Sequence, residues 1–251
     1  TVTAQYPSVL PAPVRFQIES KYRHRMTAAT TLHEPASTEP FDVLTAYRAV
    51  RERVAKAEAA AGREPGSVTL VGAAKAQPTD RVLQLINAGL TAIGENYWQD
   101  AAAHLAVDPD RRSQWHFIGP VQSNKTADIA ERFGWVQSLD RLKIARRLDD
   151  QRPNTLARLQ VLIQVNISEE PSKSGINPDE LLDFAHALSK FPRLKLRGLM
   201  AVPAPDDDGA HARLAKHFAR LRHTAPGLDT LSMGMTNDLE TAVHAGATMV
   251  R

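Results

Sequence analysis

From residue 68 onward the chain alternates short apolar runs with longer amphipathic stretches. Eight of the runs read as strands: 68–74, 91–94, 115–119, 135–138, 159–167, 195–202, 230–233 and 248–251. The stretches between them carry helix punctuation. Thr79 can cap a helix whose Val82, Leu85 and Ile86 form one face, and Gly89 is placed to stop it. Asn177, Pro178, Asp179 and Glu180 combine a cap, a proline at the first helical position and a capping-box acid. Leu214, Phe218 and Leu221 line another helical face. Asn237, Asp238, Leu239 and Glu240 repeat the capping-box pattern, and Gly246 sits where that helix should end. Ahead of the first strand, Val43, Tyr47, Val50 and Val54 fall at three- and four-residue spacings, which predicts a helix from Pro40 to about Gly62.

Regular β/α alternation implies a parallel sheet, because each crossover helix covers it. Eight short repeats favour closure. The predicted fold is therefore α/β, a single (β/α)8 TIM-type barrel over residues 40–251. The competing architecture is an open doubly wound sheet, and the lack of GxGxxG after the first strand argues against its dinucleotide-binding form. Residues 1–39 stand apart. Pro7, Pro11, Pro13 and Pro35 interrupt them and no period emerges, so they read as an irregular N-terminal extension, partly disordered or docked. The chain opens on Thr1, and its last strand stops at Arg251. Both ends read as clipped, with a truncated last strand that would leave the barrel poorly closed.

Composition changes this picture little. The 251 residues are 43% hydrophobic and 24% charged, as in an ordinary globule. There is no cysteine, so no disulfide, thiolate metal site or cysteine nucleophile is available. The 31 basic and 28 acidic residues are scattered, which suits a basic pocket for a small anion as well as it suits nucleic acid. No apolar run approaches the roughly 18 residues of a membrane span, and no compact apolar core marks a secretory signal. The expectation is a cytoplasmic protein, acting as a monomer, with neither membrane nor nucleic acid as partner.

In a barrel, chemistry collects at the C-terminal ends of the strands. The first strand ends in Ala73, Ala74 and Lys75. A lysine there is expected to be partly desolvated, which favours the free amine and nucleophilic attack on an aldehyde; a lysine that merely snorkels to the rim is the plainer reading. Gly94-Glu95-Asn96-Tyr97, His116–Pro120 with Gln122-Ser123-Asn124-Lys125, and Gln164-Val165-Asn166 put further polar groups at strand ends. Ser232-Met233-Gly234-Met235-Thr236 joins the seventh strand to a capped helix. Gly234 permits close backbone approach, and the helix start offers free N–H groups, which together describe an anion site. An ordinary capped βα turn would look the same. No HxxxH or acidic cluster supports a metal, and no GxSxG elbow supports a serine hydrolase. Asp206-Asp207-Asp208 reads as a solvated loop.

Five stretches resemble the YggS/PROSC family of pyridoxal phosphate homeostasis proteins. They are Leu70–Lys75 with Gly94–Tyr97, Trp115–Lys125, Ile163–Ser168, Gly198–Pro203 and Leu231–Met235, in order over about residues 41–251. The resemblance implies a barrel like the N-terminal domain of alanine racemase. It implies pyridoxal 5′-phosphate (PLP) as cofactor, held as a Schiff base on Lys75, with Asn96 beside it, Ser232, Met233 and Gly234 at its phosphate and Arg251 facing its pyridine nitrogen. The chain departs from the family at Ala74, where serine is frequent, and at Gln77, where a second lysine is frequent. The Gly-Thr pair that follows the arginine in the family is absent.

The function so implied is PLP binding for intracellular vitamin B6 homeostasis, by a carrier or regulator without turnover. Its partners would be PLP and the apo forms of PLP-dependent enzymes. The alternative is a PLP-dependent amino-acid racemase. That reaction needs an acid/base group on each face of the α-carbon; Lys75 can serve one face, and the chain has no room for the added domain that brings a tyrosine to the other.

Overall fold

The computed structural model describes residues 42–251, so the extension expected over residues 1–39 lies outside it. Among the described residues nine parallel strands make one sheet. They are β1 (Thr69–Leu70), β2 (Gly72–Ala73), β3 (Ala92–Glu95), β4 (Gln114–Phe117), β5 (Trp135–Leu139), β6 (Leu159–Gln164), β7 (Leu194–Met200), β8 (Thr230–Ser232) and β9 (Met249–Val250). Their order is β1-β9-β8-β7-β6-β5-β4-β3-β2, and β1 and β2 are consecutive in the chain. The sheet therefore runs round on itself. The first predicted strand has become two pieces, parted at Val71. One pairs with β9 and the other with β3.

The last strand was expected to leave a gap, and this is corrected. Thr69 pairs with Met249 and Leu70 with Val250, while Thr69 N–H and Val71 N–H donate to Thr248 and Val250 carbonyls at 2.9 Å. On the other side Met233 N–H donates to Met249 O at 3.1 Å, and Arg251 N–H to Gly234 O at 3.0 Å. Two residues suffice because each strand needs only a short bonded stretch to bring its neighbours to ladder spacing.

Among the described residues eight α-helices surround the sheet: α1 (Val43–Ala60), α2 (Thr79–Asn87), α3 (Trp98–Ala106), α4 (Thr126–Arg132), α5 (Leu142–Gln151), α6 (Leu181–Leu188), α7 (Ala210–Thr224) and α8 (Leu239–His244). The predicted faces pack as expected: Val82 and Ile86 of α2, and Leu214, Phe218 and Leu221 of α7, are buried. The caps fare unevenly. Asn177 and Glu180 form the reciprocal capping box, on a 3₁₀ turn that leads into α6. Thr79 is instead the first helical residue after Pro78, and its side chain caps nothing. Asp238 flanks α8 without capping it, because its carboxylate is taken by Met235 N–H at 2.6 Å and His211 Nε2 at 2.9 Å. Among the described residues no helix is long and apolar enough to cross a membrane.

The core has two layers. One lies between sheet and helices and includes Ile93, Phe117, Ile129, Val136, Leu148, Ile163 and Leu199. The other is a small separate cluster inside the barrel: Val71, Ala92, Trp135, Leu162, Met200 and Met249. Side chains alternate across a strand, so residues two apart from these also face inward. That parity sends Gln137, two from Trp135, and Arg251, two from Met249, to the interior; His116 and Ser232 face the same way because they alternate with Trp115 and Phe117, and with Leu231 and Met233, of the outer layer.

Candidate active site at the C-terminal rim

The N-terminal end of the barrel is plugged. Arg197 makes a two-point ion pair with Asp229 at 2.8 and 2.7 Å and donates to Gln160 Oε1 at 2.8 Å. Its guanidinium lies 4.8 Å from the centre of the Trp135 ring, whose Nε1 donates to Gln114 Oε1 at 3.1 Å. His116 stacks on the same indole at 5.1 Å and 12°.

Above this plug runs a hydrogen-bond chain whose direction is forced. Arg251 can only donate. Its Nη1 gives a bond of 2.6 Å to Ser232 Oγ, and its Nη2 one of 2.9 Å to Ala201 O. Ser232 must then pass its own proton on, to Gln137 Oε1 at 2.7 Å. This orients the amide, whose Nε2 donates to His116 Nδ1 at 2.9 Å. Nδ1 is therefore the acceptor and Nε2 carries the proton. Desolvation pulls the His116 pKa from 6.5 to about 3, so the ring is neutral. Burial also lowers Arg251, to about 10, which still leaves a cation at neutral pH. His116 Nε2 is buried without a partner.

The rim itself is built differently. Lys75 is exposed, as the plainer reading of a rim lysine had it and not as a desolvated one: the ladder ends at Ala73, two residues earlier. Lys75 is the second residue of a β-turn closed by Gln77 N–H to Ala74 O at 3.0 Å. Ala76, the third residue, takes φ 56°, the left-handed conformation a type II turn demands there. Asn96 follows β3. Gly119 is pressed against it, so closely that a Cβ would fall 2.1 Å from Asn96 O, and Asn96 Oδ1 is buried with no partner.

Opposite lies the 233–238 loop. Met233 is fully buried with its N–H committed to β9. Gly234 has φ 94°, and a Cβ there would meet Ala242 Cβ at 2.5 Å, so only glycine lets the loop lie on α8. Arg53 holds Thr236 O at 2.8 Å while paired with Glu240 at 2.7 and 2.8 Å. Among the described residues no acceptor lies on the amide N–H of Gly234, Thr236 or Asn237. With six residues α8 brings little dipole of its own, so the anion-binding character of this loop rests on those amides.

Of the six residues singled out from the sequence, Ser232 and Arg251 are in direct contact, Met233 and Gly234 continue the same loop, and Lys75 and Asn96 stand at the ends of neighbouring strand positions. Gln137 and His116 were not singled out as a site. Strand parity could have found them, since both lie on the inward register of apolar strands. A further pair was half legible: Glu95 stood among the polar groups at strand ends, but nothing in the sequence pointed to His104 as its partner. Glu95, wholly buried, and His104 of α3 are 2.6 Å apart, and His104 Nε2 reaches Gln77 O at 3.0 Å. Burial pushes the Glu95 carboxyl above the usual range, against the pull of His104.

Comparison with known proteins agrees with this architecture. The family described as alanine racemase, N-terminal domain, matches residues 46–251. The pyridoxal phosphate homeostasis protein of Pseudomonas aeruginosa is 50% identical over 206 residues, covering 80% of this chain and 89% of that protein. Its namesake in Escherichia coli K12 is 46% identical over 210 residues, covering 80% and 90%. Among solved structures, PipY of Synechococcus elongatus PCC7942 with PLP bound superposes with a TM-score of 0.68 at 31% identity, over 79% of this chain and 96% of that one. Alanine racemase of Corynebacterium glutamicum shares the fold, with a TM-score of 0.62 at 15% identity over 81% of this chain and 58% of that one. With half its aligned residues shared with one such relative and a family match that spans the whole barrel, the chain belongs to the pyridoxal phosphate homeostasis proteins, built on the alanine racemase N-terminal domain.

Proposed function

We propose that the chain binds PLP reversibly at the C-terminal rim of the barrel, with Lys75 as the amine that carries it, and that it serves vitamin B6 homeostasis as a carrier without turnover. One observation carries the reading. An exposed lysine amine and a loop with three unbonded amide N–H groups lie at the same end of a barrel plugged at the other. In the ring of strands β9 stands between β8 and the β1–β2 strand, so the two groups are two strand positions apart, about 10 Å at ~4.8 Å per strand. That separation suits a ligand with an aldehyde at one end and a phosphate at the other. The buried, unpartnered Asn96 Oδ1 on the same rim is an acceptor in want of a donor. The relatives' shared name and the PLP bound to PipY support the same ligand.

When bound, PLP supplies an aldehyde for amine exchange and a ring that accepts electrons. The chain's residues divide the work of holding it. Lys75, being exposed, is open to exchange with free amines. The amides of Gly234, Thr236 and Asn237 offer donors to a phosphate, and Ser232 and Arg251 lie beneath them. Arg251 is fixed by Ser232 and Ala201 O, and would hold a positive charge against the ring nitrogen in the role the family resemblance gives it. A fixed cation disfavours protonation of that nitrogen and so weakens the ring as an electron sink. This favours carriage over racemisation, and apo PLP-dependent enzymes are the partners such a carrier would supply.

The test is spectroscopic and chemical. The pure protein incubated with PLP should absorb near ~420 nm, and borohydride reduction with peptide mapping should put the pyridoxyl label on Lys75. A label on Lys125 or Lys173 overturns the assignment. Incubation with L-alanine in deuterated water should give little α-exchange; multi-turnover racemisation abolished by Lys75→Ala would replace the carrier reading with the racemase one.

A further inference from the structure

The turn that presents Lys75 should not be stable by itself. Its third residue is Ala76 at φ 56°, a left-handed conformation that disfavours an L-residue with a Cβ. Such conformations persist only where the surroundings over-determine them. Two bonds from outside the turn fix its backbone at the ends, beside an exposed, longer contact of Arg81 Nη1 with the Gln77 side chain at 3.4 Å. Ala74 N–H donates to Gly94 O at 2.9 Å and ties down the entry. The exit is held by His104, whose Nε2 lies 3.0 Å from Gln77 O. A carbonyl only accepts, so Nε2 carries a proton. The other ring nitrogen, Nδ1, lies 2.6 Å from Glu95 Oε1. Glu95 is fully buried and leaves Oε2 without a partner, so its single bond is spent on orienting this imidazole. Neither residue reaches the loop at Gly234 or the network under Arg251.

We propose that Glu95 and His104 are positioning residues: the carboxyl orients the imidazole, the imidazole clamps the Gln77 carbonyl, and the clamp holds the strained turn that aims the Lys75 amine. This rests on the reading of Lys75 as the carrying amine, but its test does not. The clamp uses the Nε2 position alone. Glutamine can place an amide N–H near Nε2, whereas asparagine reproduces only the Nδ1 position. His104→Gln therefore retains the clamp and His104→Asn loses it while keeping a polar partner for Glu95.

Both variants are compared with the parent in cofactor-free full-length protein by two measurements. One is competitive acetylation of Lys75 relative to exposed Lys216, read by mass spectrometry. The other is amide exchange over residues 75–79 relative to β6. In H104N, exchange over 75–79 should quicken about tenfold, the loss of one hydrogen bond, with β6 unchanged. Relative acetylation of Lys75 should shift by about threefold or more, since a loosened turn frees the amine. H104Q should stay within about twofold of the parent on both measures. In an Ala76→Gly background, where the turn is no longer strained, the H104N effect should shrink. The proposal is overturned if the two variants behave alike, if exchange rises equally in β6, or if the full effect survives Ala76→Gly. A pyridoxyl label found away from Lys75 would sink the carrier reading and leave this result standing.

Discussion

The interior of the barrel and its rim solve opposite problems. Beneath the mouth, Arg251, Ser232, Gln137 and His116 form one hydrogen-bond chain with a single allowed direction, buried and mutually dependent. At the rim, Lys75 sits exposed on a turn held in an unfavourable conformation by bonds at its two ends. Stability is concentrated below, where a missing partner strands a desolvated polar group. Accessibility is concentrated above, where a side chain can be lost at little cost to the fold. A reversible carrier needs this division, because the group that exchanges must be open while its surroundings stay fixed.

The largest effect should come from the middle of the interior chain. Gln137→Leu leaves the Ser232 hydroxyl without an acceptor and His116 Nδ1 without a donor, both buried. At about 1–3 kcal/mol for each stranded group, the loss should be about 3 kcal/mol, read as a lower denaturant midpoint with an unchanged slope. A loss below about 1 kcal/mol would mean that the chain is replaceable by water.

Gly234→Ala attacks the boundary between the two regions. It adds a Cβ 2.5 Å from Ala242 at a position with φ 94°. The expected cost is about 2–3 kcal/mol, together with weaker binding of PLP and of inorganic phosphate, measured by titration calorimetry. Unchanged phosphate affinity would remove the loop from the site.

Acid should distinguish the interior from the rim. His116 titrates near 6.5 when unfolded and at about 3 when folded. Below pH 6.5 the unfolded chain binds the extra proton, so stability falls as the pH drops from 6.5 towards 3 and is complete above that range. Between pH 7 and pH 5 this amounts to about 2 kcal/mol, and His116→Gln should flatten that part of the profile. The same slope in wild type and variant would place the acid sensitivity elsewhere.

The smallest structural effect is expected at the residue proposed to matter most for binding. Lys75→Ala should change stability by no more than about 0.5 kcal/mol, while abolishing the visible band. A large loss of stability would show that Lys75 is packed rather than presented.

Much of this molecule was legible in its sequence. Strand order, parallel sense and barrel class follow from β/α alternation, because crossover helices force both. Gly234 could be read as a close approach, and Asn177 with Glu180 as a capping box, since both act within a few residues. The features that escaped are those in which distant segments meet. Thr79 and Asn237 looked like caps; Thr79 became the first helical residue, and α8 begins a residue later than the Asn237 box requires, with the Asp238 carboxylate claimed by Met235 and by His211, 27 residues away. Val71 split the first strand because its two halves pair with different neighbours. Lys75 lies beyond the bonded ladder on an exposed turn, which fits the plainer reading of a rim lysine over a desolvated strand end. Gln137 reaches Ser232 across 95 residues of chain, and His104 reaches Gln77 across 27. Local periodicity decides which face of an element is apolar, and that sufficed for the barrel. Which polar groups complete one another inside it depends on which strand ends closure brings together, and only the folded ring decides that.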